Sequence, residues 1–456
     1  MQEKSPASFK ALILLAIPMI VSQGAMALMM FTDRLFLSKL SPVHLAASLG
    51  GGMTAFFCSS LFMGVISYGN ALAAQYFGAK DYAACPKVLT QGLLLTLCCI
   101  PFIIVITFLG PLLFVWMGHS PLEVTLETQY FTILQVGAVF ALMRTAFASY
   151  FIGTSKTFLV MVVDLTGVII NIPLSWLLIF GFDQLPGLNI PALGISGAAI
   201  GTLISNMIAL GLYIILYLDK WHQQTFSIKS SWCIDRAILK KYLRLGVPSG
   251  IDMFLGFAAF NLFVLLFQSF GVVEGASAAI VFNWDMLSVI PLMGLNAALT
   301  SLVGQHYGAN DMHGLEKTLK GGFVIAFIYT LMLTLLFYIY KDTLIEIFNP
   351  PHSTYYAEIL DLSRMMMMGL ICYMIADAAI QVSEAGLKGT GDTRWMMVAS
   401  VGLHGFMLLS QILIIKVFGL SSLASWAAFV IFILLLSVTF VYRLACRPWQ
   451  KMPLPA

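Results

Sequence analysis

Long apolar runs recur along the whole chain, and they constrain its fold more than any other feature. Short polar breaks separate each run from the next. A bilayer core requires about 20 apolar residues for each spanning helix. A water-soluble domain could not bury a chain that is 60% hydrophobic and only 10% charged. The short alternating segments typical of a membrane β-barrel are missing from the sequence. The sequence therefore predicts an all-α integral membrane protein.

The apolar runs predict twelve membrane-spanning helices, six in each half of the chain. The first six lie at residues 11–39, 46–76, 88–110, 125–152, 157–180 and 192–218. The second six lie at residues 238–270, 275–306, 320–341, 356–387, 393–417 and 421–444. We therefore predict an amino-terminal six-helix lobe at 1–218, a cytoplasmic linker at 219–235 and a carboxy-terminal six-helix lobe at 236–456.

The positive charges predict how the helices are oriented. One side of the predicted membrane holds Lys4, Lys10, Lys80, Lys87, Lys156, Lys220, Lys229, Arg236, Lys240, Lys241, Arg244, Lys317, Lys320, Lys388, Arg394, Arg443, Arg447 and Lys451. The other side holds Arg34, Lys39, Lys341 and Lys416. Because short cytoplasmic loops retain Lys and Arg, we expect a multi-pass protein of the cell inner membrane with both termini in the cytoplasm.

The scattered charges form no stripe suited to nucleic acid, and the seven cysteines suggest no disulfide framework.

The two halves of the chain are an internal repeat with an offset of 230 residues. Ile17-Pro18 corresponds to Val247-Pro248, and the loop at 75–81 corresponds to the loop at 305–311. Six helices per repeat is an even number, so both halves enter the membrane from the same side. Parallel repeats of this kind enclose a central cavity in many secondary transporters. Duplication can also produce a larger scaffold without transport, as in some channels and membrane enzymes.

Few ionisable residues lie deep within the predicted spans, away from their ends. They are Asp33, Asp164, Asp252, Asp285, Asp377 and Glu384, with Arg144 and Arg364 as the cations. A charged side chain at the centre of a bilayer costs about 2.5–3.5 kcal/mol on insertion scales, so such residues usually face a cavity and have a function. These acids are therefore the first candidates for ion coupling and substrate binding.

The tenth span carries the clearest pattern. Tyr373, Asp377, Gln381 and Glu384 are spaced by four, four and three residues, so they share one face of a helix. A carboxylate on that face could carry a proton or ligate Na⁺. Alternatively, Glu384 extends to water at the cytoplasmic end.

Other candidates lie in four further spans, and several have structural alternatives. Asp33 is followed by apolar residues, which favours a cavity position over a local surface charge. Asn171 precedes Ser175 by one turn, and its amide could bind an ion or a helix carbonyl. Asp252, and Asp285 beside Asn283, suit ion binding or local polar packing. Asp164 could line an entrance or pair with Lys156, His404 is interpreted as a packing or hydrogen-bonding residue, and Asp361 with Arg364 as a surface pair.

These segments together resemble the multidrug and toxic compound extrusion (MATE) family over essentially the whole chain. The resemblance rests on the stretch from Pro18 through Gln23 to Asp33, on the repeated loops at 74–79 and 304–309, and on the segments at 171–175 and 377–389. It implies a V-shaped fold of two six-helix lobes. It also implies that Asp33 and Asn171 form an amino-lobe pocket and that Asp377 is the acidic residue of the other lobe.

Two positions depart from the family pattern. Many sodium-coupled bacterial members carry a glutamate in the seventh helix where Gly256 aligns. Archaeal members carry an aspartate where this chain has Ser175. The resemblance therefore leaves the usual Na⁺ site of the carboxy-terminal lobe in doubt, and Asp252 or Asp285 could replace it.

The favoured function is a secondary active antiporter that exports organic cations, drugs or toxic metabolites in exchange for inward H⁺ or Na⁺. We expect no enzyme activity and no cofactor beyond that coupling ion, with Asp33 or Asp377 as a possible Na⁺ ligand. The expected partners are a cationic, amphipathic small molecule and membrane lipid, and the expected state is a monomer. The alternative is a lipid-linked precursor flippase, for which Arg144 is the one well-placed intramembrane cation.

Overall fold

The computed structural model describes residues 9–185, 188–219, 223, 225–226, 228, 231–348 and 355–451. Within these ranges, twelve helical segments are long and apolar enough to cross a membrane. This confirms the predicted all-α membrane architecture and its number of spans. Lys4, Lys220 and Lys229, which contribute to the predicted orientation, lie outside the described residues, as does part of the predicted linker at 219–235.

The described residues between 9 and 217 form seven helices that make six spans. They are α1 (Phe9–Ser38), α2 (Pro42–Ser67), α3 (Gly69–Gly78), α4 (Ala84–Trp116), α5 (Pro121–Gly153), α6 (Thr157–Phe180) and α7 (Ile195–Tyr217). The second span comprises both α2 and α3. A short antiparallel hairpin, β1 (Phe182–Leu185) with β2 (Leu188–Ile190), separates α6 from α7. The apolar runs gave no indication of this hairpin, because it lies in a short connection between two spans.

The second half forms six long helices. They are α8 (Arg236–Gln268), α9 (Val272–Gly308), α10 (Met312–Glu346), α11 (Tyr356–Thr390), α12 (Thr393–Ile412) and α13 (Ser422–Ala445). A π-helical turn at Leu413–Val417 extends α12, so that the eleventh span reaches Val417. Most helices exceed the length that a bilayer core requires, which agrees with the length of the apolar runs.

The helices group into two compact units. One unit contains residues up to Ile20 and from Ile251 onward, and the other contains Val21–Gly250. The division therefore falls inside α1 and inside α8, a few residues after Pro18 and Pro248. Each unit includes the first part of one helix and the second part of the other.

Equivalent glycine contacts hold these first helix segments in their units. A Cβ atom placed on Gly294 of α9 would lie 2.6 Å from Cα of Ile20 in α1. A Cβ placed on Gly250 of α8 would lie 2.5 Å from the carbonyl oxygen of Leu61 in α2. The offset of 230 residues relates Ile20 to Gly250 and Gly294 to Gly64. The repeat found in the sequence is thus visible as the same close backbone packing in both units.

Candidate functional site

The amino-terminal cluster consists of Asp33 in α1, Asn171 and Ser175 in α6, and Thr202 in α7. Asp33 is only 5% exposed, and Asn171 and Ser175 are completely buried. Thr202 Oγ1 donates a hydrogen bond to Asp33 Oδ2 at 3.1 Å. Helix packing explains why these side chains converge on one region. Ala25 and Met29 of α1 pack against Val168 of α6, and Asp33 and Asn171 follow along the same faces.

Several polar atoms of this cluster have no hydrogen-bond partner among the described residues. By hydrogen-bond geometry they are Asp33 Oδ1, both amide atoms of Asn171, and Ser175 Oγ. The Ser175 hydroxyl nevertheless lies close enough to the Asp33 carboxylate to interact with it, so the Asn171 amide is the clearest exception. Burying such an atom without a partner costs about 1–3 kcal/mol, so nearly all buried polar groups in proteins are paired. A set of neighbouring exceptions can be satisfied by a bound proton, cation or polar ligand. The amino-terminal cluster therefore has the chemistry of a binding site.

A small residue allows Ser175 to sit where it does. A Cβ atom added to Gly201 would lie 2.5 Å from Ser175 Oγ, so a larger residue at 201 would displace that hydroxyl. Gly201 immediately precedes Thr202, whose hydroxyl bonds to Asp33. The α6–α7 contact thus places Ser175 beside the helix that contacts Asp33. Thr202 was not predicted, because a threonine in an apolar helix carries no distinguishing pattern.

Asp164 belongs to a different, fully bonded network in the same unit. Its Oδ1 atom lies 3.1 Å from Nη2 of Arg144 and accepts a bond from the Tyr213 hydroxyl at 3.2 Å. Its Oδ2 atom accepts a bond from the Ser22 hydroxyl. Arg144 also donates to Asn206 Oδ1 at 2.7 Å. Asp164 is therefore the buried partner of Arg144, a pairing that the sequence did not indicate.

The carboxy-terminal cluster consists of Asp285 in α9 with Tyr373 and Asp377 in α11. The two carboxylates are close enough to interact electrostatically, and the Tyr373 phenol interacts with both. The Tyr373 ring is buried and contacts Trp426 and Phe429 of α13, with ring centres 6.4 and 6.0 Å apart. The structure thus brings together three of the predicted site residues. Asn283, also predicted, is exposed and donates its amide to the Ala279 carbonyl one turn earlier in α9.

A second acidic group lies one to two turns further along α11. Glu384 forms an ion pair with Lys388. Asn296 of α9 donates to the Gln381 carbonyl at 2.8 Å, and lies 3.5 Å from Glu384 Oε2. Asp252 of α8 interacts electrostatically with Glu384 and Lys388. The polar face predicted for the tenth span therefore has different partners on α8 and α9 along its length, while Asp377 and Glu384 still interact electrostatically with each other.

Asp252 and Glu384 line a cavity of about 270 Å³ in this unit. Gly256 of α8 and Ser400 and His404 of α12 line it as well, and its apolar walls include Phe257 and Phe260. We call it the Asp252 cavity. Gly256 is one of the two positions at which the sequence departs from the pattern of the family it resembles, and Asp252 precedes it by one turn. The surface pair predicted between Asp361 and Arg364 is present at 3.2 Å, and Arg364 also contacts Asp342 at 2.7 Å.

A family profile described as MatE matches residues 18–177 and 248–411 of this chain. The two matched segments cover most of the sequence and begin at Pro18 and Pro248, the repeat-related prolines of α1 and α8. The profile therefore detects the same duplication that self-comparison of the sequence indicated.

Curated relatives match along the same length. The chain is 24% identical to a probable multidrug resistance protein NorM of Bacillus anthracis, over 86% of this chain and 85% of that protein. It is 25% identical to a protein of the same name from Pseudomonas putida, over 84% of this chain and 82% of that protein.

Solved transporter structures share the fold. An outward-facing multidrug resistance MATE family transporter of the MOP superfamily superposes with a TM-score of 0.86 at 21% identity, over 97% of both chains. The eukaryotic MATE transporter AtDTX14 superposes with a TM-score of 0.84 at 18% identity, over 97% of this chain and 96% of that one. With the profile match over both halves, the likeness of fold and the twelve spans, the protein belongs to the MatE family of membrane transporters, the family that its sequence resembles.

Proposed function

We propose that this protein is a secondary active antiporter that exports organic cations or toxic metabolites in exchange for inward H⁺ or Na⁺ by alternating access. The observation that carries the proposal is the amino-terminal cluster, in which the buried Asp33 carboxylate has only the Thr202 and Ser175 hydroxyls beside it. The neighbouring buried Asn171 amide has no hydrogen-bond partner among the described residues. The printed names of the relatives, multidrug resistance proteins, agree with an export function.

In this proposal, the coupling ion and the substrate compete for the same buried carboxylates, and this competition couples ion entry to substrate export. Asp33 Oδ1 can be satisfied by a proton, by Na⁺ or by the positive group of a substrate. Asp285 and Asp377 offer the same choice in the other unit, because two neighbouring carboxylates favour a shared proton or cation. Coupling requires that the ion and the substrate prefer different conformations of the protein, since a ligand shifts an equilibrium only through its differential affinity.

The surroundings of Arg144 argue against the lipid-linked precursor flippase. That function would require a buried cation available to a phosphate headgroup. Arg144 instead pairs with Asp164 at 3.1 Å and donates a second bond to Asn206. A guanidinium already neutralised by a carboxylate is poorly suited to recognise an anion. We therefore favour the cation antiporter, in the inner membrane, with both termini cytoplasmic and the monomer as the working unit.

Transport by proteoliposomes tests the proposal directly. The purified chain is reconstituted with an imposed Na⁺ or H⁺ gradient, and movement of a fluorescent organic cation is followed. We expect one gradient to drive transport. We expect Asp33→Asn and Asp377→Asn each to abolish it, because each removes a charge that must bind the ion or the substrate.

Asp361→Asn is the matched control, because Asp361 is an exposed acid of the same α11 helix and we expect the variant to transport normally. Equal amounts of folded protein are confirmed by gel filtration. Full transport in both Asp33→Asn and Asp377→Asn would refute the assigned roles. If neither the Na⁺ gradient nor the H⁺ gradient moved the dye, cation-coupled antiport would be refuted.

A further inference from the structure

The Asp252 cavity contains a chemical group that the proposed antiport mechanism does not use. Four helices surround the cavity. α8 contributes Asp252 and Gly256, α11 contributes Glu384, and α12 contributes Ser400 and His404. From α13, Leu436 and Phe440 close it with apolar surface. Among the described residues that line this cavity, His404 supplies the imidazole, and it lies next to Gly256.

Hydrogen bonding fixes the tautomer of His404. Its Nδ1 atom lies 2.8 Å from the carbonyl oxygen of Ser400, and 3.3 Å from the hydroxyl of the same residue. A carbonyl oxygen can only accept, so Nδ1 must carry the hydrogen. In a neutral imidazole the other nitrogen is then an acceptor. Phe432 packs edge-on against the ring, with centres 4.9 Å apart, and holds its orientation.

The absence of a side chain at Gly256 gives access to this acceptor. A Cβ atom built on Gly256 would lie 3.8 Å from Nε2 of His404. That distance is ordinary van der Waals contact, so alanine fits there, but any longer side chain would fill the space in front of the nitrogen. His404 therefore lines the cavity beside Gly256, and Asp252, one turn earlier in α8, lines the same cavity.

The charges around the cavity favour a single positive charge in its ligand. Glu384 is neutralised by its ion pair with Lys388. Asp252 interacts with both members of that pair and adds one further negative charge. From α13 the described lining residues are apolar. When Asp252 is ionised and His404 is neutral, the lining residues together with Lys388 therefore carry one net negative charge. The aromatic walls suit a compact apolar body beside the charge.

We propose that the Asp252 cavity binds monovalent cations that carry N–H groups, such as protonated primary amines with a small aromatic body. In this arrangement Asp252 accepts one N–H and compensates the charge, and His404 Nε2 accepts a second N–H. His404 is therefore a specificity residue that distinguishes ammonium groups with N–H donors from quaternary ammonium groups, which have none. The inference rests on the proposed export of organic cations and names a substrate class for it.

Equilibrium binding to the purified full-length chain tests this selectivity. Calorimetry compares benzylammonium with benzyltrimethylammonium, which has the same charge and ring but no N–H. We expect the wild type to prefer benzylammonium. His404→Phe keeps the aromatic contact with Phe432 and removes the acceptor, so we expect it to weaken benzylammonium binding by about tenfold or more, the value of a hydrogen bond to a charged group. Binding of the trimethyl analogue should be little changed, whereas Asp252→Asn should weaken both.

Two glycine variants test the same cavity without changing His404, so the inference stays testable if His404→Phe does not fold. Gly256→Val fills the space before Nε2 and should weaken both ligands, while Gly402→Ala changes an α12 position with open space and should leave both unchanged. Equal affinity of the wild type for both ligands would overturn the inference, as would unchanged selectivity in His404→Phe.

Dye transport by the same variants separates this inference from the proposed function. Transport that persists without any N–H selectivity rejects only the role of His404. N–H selectivity without transport rejects the antiporter and leaves the binding site.

Discussion

Two buried carboxylates of the same unit have opposite surroundings. Asp164 accepts bonds from Ser22, Arg144 and Tyr213, so both of its oxygens are satisfied. Asp33 is equally buried but accepts one well-formed hydrogen bond, from Thr202, with the Ser175 hydroxyl as a further neighbour whose geometry makes no hydrogen bond. A fully bonded acid stabilises its neighbours, whereas an incompletely bonded one retains the capacity to bind. At the residue scale, bonding rather than burial separates structural acids from candidate functional acids.

Asn171→Leu tests whether the unpaired amide is kept for function. Leucine has a similar volume and leaves no buried polar atom unsatisfied, so we expect the free energy of unfolding to rise by about 1 kcal/mol. We expect transport to fall at the same time, because a polar contributor to the site is lost. Denaturant titration in micelles and dye transport in liposomes measure the two effects.

Asn206→Leu is the comparison for that variant. The Asn206 amide is bonded to Arg144 and to the Thr202 carbonyl, so the same replacement there should lower stability. If Asn171→Leu also lowered stability while transport continued normally, Asn171 would be a structural residue.

The residue scale also shows what the sequence could predict. Helical periodicity correctly placed Tyr373, Asp377, Gln381 and Glu384 along α11. It could not show that Tyr373 and Asp377 meet Asp285 while Gln381 and Glu384 meet Asn296, because that depends on which residues of α9 lie opposite. Asp377 and Glu384 also interact along α11. Thr202 was missed since hydroxyl side chains are common in apolar helices and usually bond to their own backbone.

At the scale of elements, the Asp164 network joins four helices through one buried charge pair. Ser22 lies in α1, Arg144 in α5, Asp164 in α6 and Tyr213 in α7. Removing one partner of a buried pair costs about 3–5 kcal/mol, because the other charge is left uncompensated. We therefore expect Asp164→Leu to lower the free energy of unfolding by that amount, measured by denaturant titration.

The double variant Arg144→Leu with Asp164→Leu distinguishes pairing from packing. Replacing both members by apolar residues of similar size is often nearly neutral, so the double variant should recover most of the stability lost by Asp164→Leu. A double variant that is less stable than the single one would show that Arg144 stabilises the unit by contacts other than this pair.

The start of α8 depends on an acid outside the membrane span. Asp235 Oδ1 accepts bonds from the backbone N–H of Ala237 at 3.1 Å and of Ile238 at 3.2 Å, and Oδ2 lies 3.2 Å from Lys87 Nζ. The Ile238 N–H is the main cause that holds the pKa of Asp235 below its usual value, with Lys87 in support. The charged form is therefore favoured in the folded protein.

Asp235→Ala should lower the free energy of unfolding by about 1 kcal/mol at neutral pH, the usual cost of losing a helix cap. Because folding lowers this pKa, the contribution is complete above the ordinary pKa of a carboxyl group and is lost as the pH falls through the lowered folded-state pKa. The difference between wild type and variant should therefore shrink in acid, as measured by thermal unfolding at several pH values. Lys87→Met removes only a partly exposed ion pair and should cost less. A pH-independent difference would contradict the role of the carboxylate.

At the scale of the whole molecule, duplication explains the framework but not the chemistry. The position equivalent to Asp33 is Phe263, which is buried and stacks on Phe429 with ring centres 4.4 Å apart. The position equivalent to Asp252 is Ser22, which bonds to Asp164. Each unit has thus placed its polar groups independently within a shared set of helices. The long apolar runs and the offset of 230 residues predicted the helices, because both signals extend over many residues. Single polar side chains leave no such signal.

The close backbone contacts, in contrast, follow the repeat, and this gives a test of the shared framework. Gly294→Ala places a Cβ 2.6 Å from Cα of Ile20, and Gly250→Ala places one 2.5 Å from the carbonyl oxygen of Leu61. Both neighbours are backbone atoms, so the helices must move apart. Overpacking of this kind typically costs about 1–3 kcal/mol, and we expect both variants to be destabilised by similar amounts, as measured by denaturant titration.

Gly211→Ala and Gly402→Ala supply one control in each unit, since a Cβ at either position meets no atom within 4 Å. These variants should be neutral or slightly more stable, because alanine favours a helix by up to about 1 kcal/mol over glycine. If only one of Gly294→Ala and Gly250→Ala were destabilising, the two contacts would not be equivalent. The two units would then share this packing through common ancestry, but the close contact would stabilise only one of them. Equal losses at both positions would instead show that duplication preserved the close packing at the first segments of α1 and α8, while the acids around them diverged.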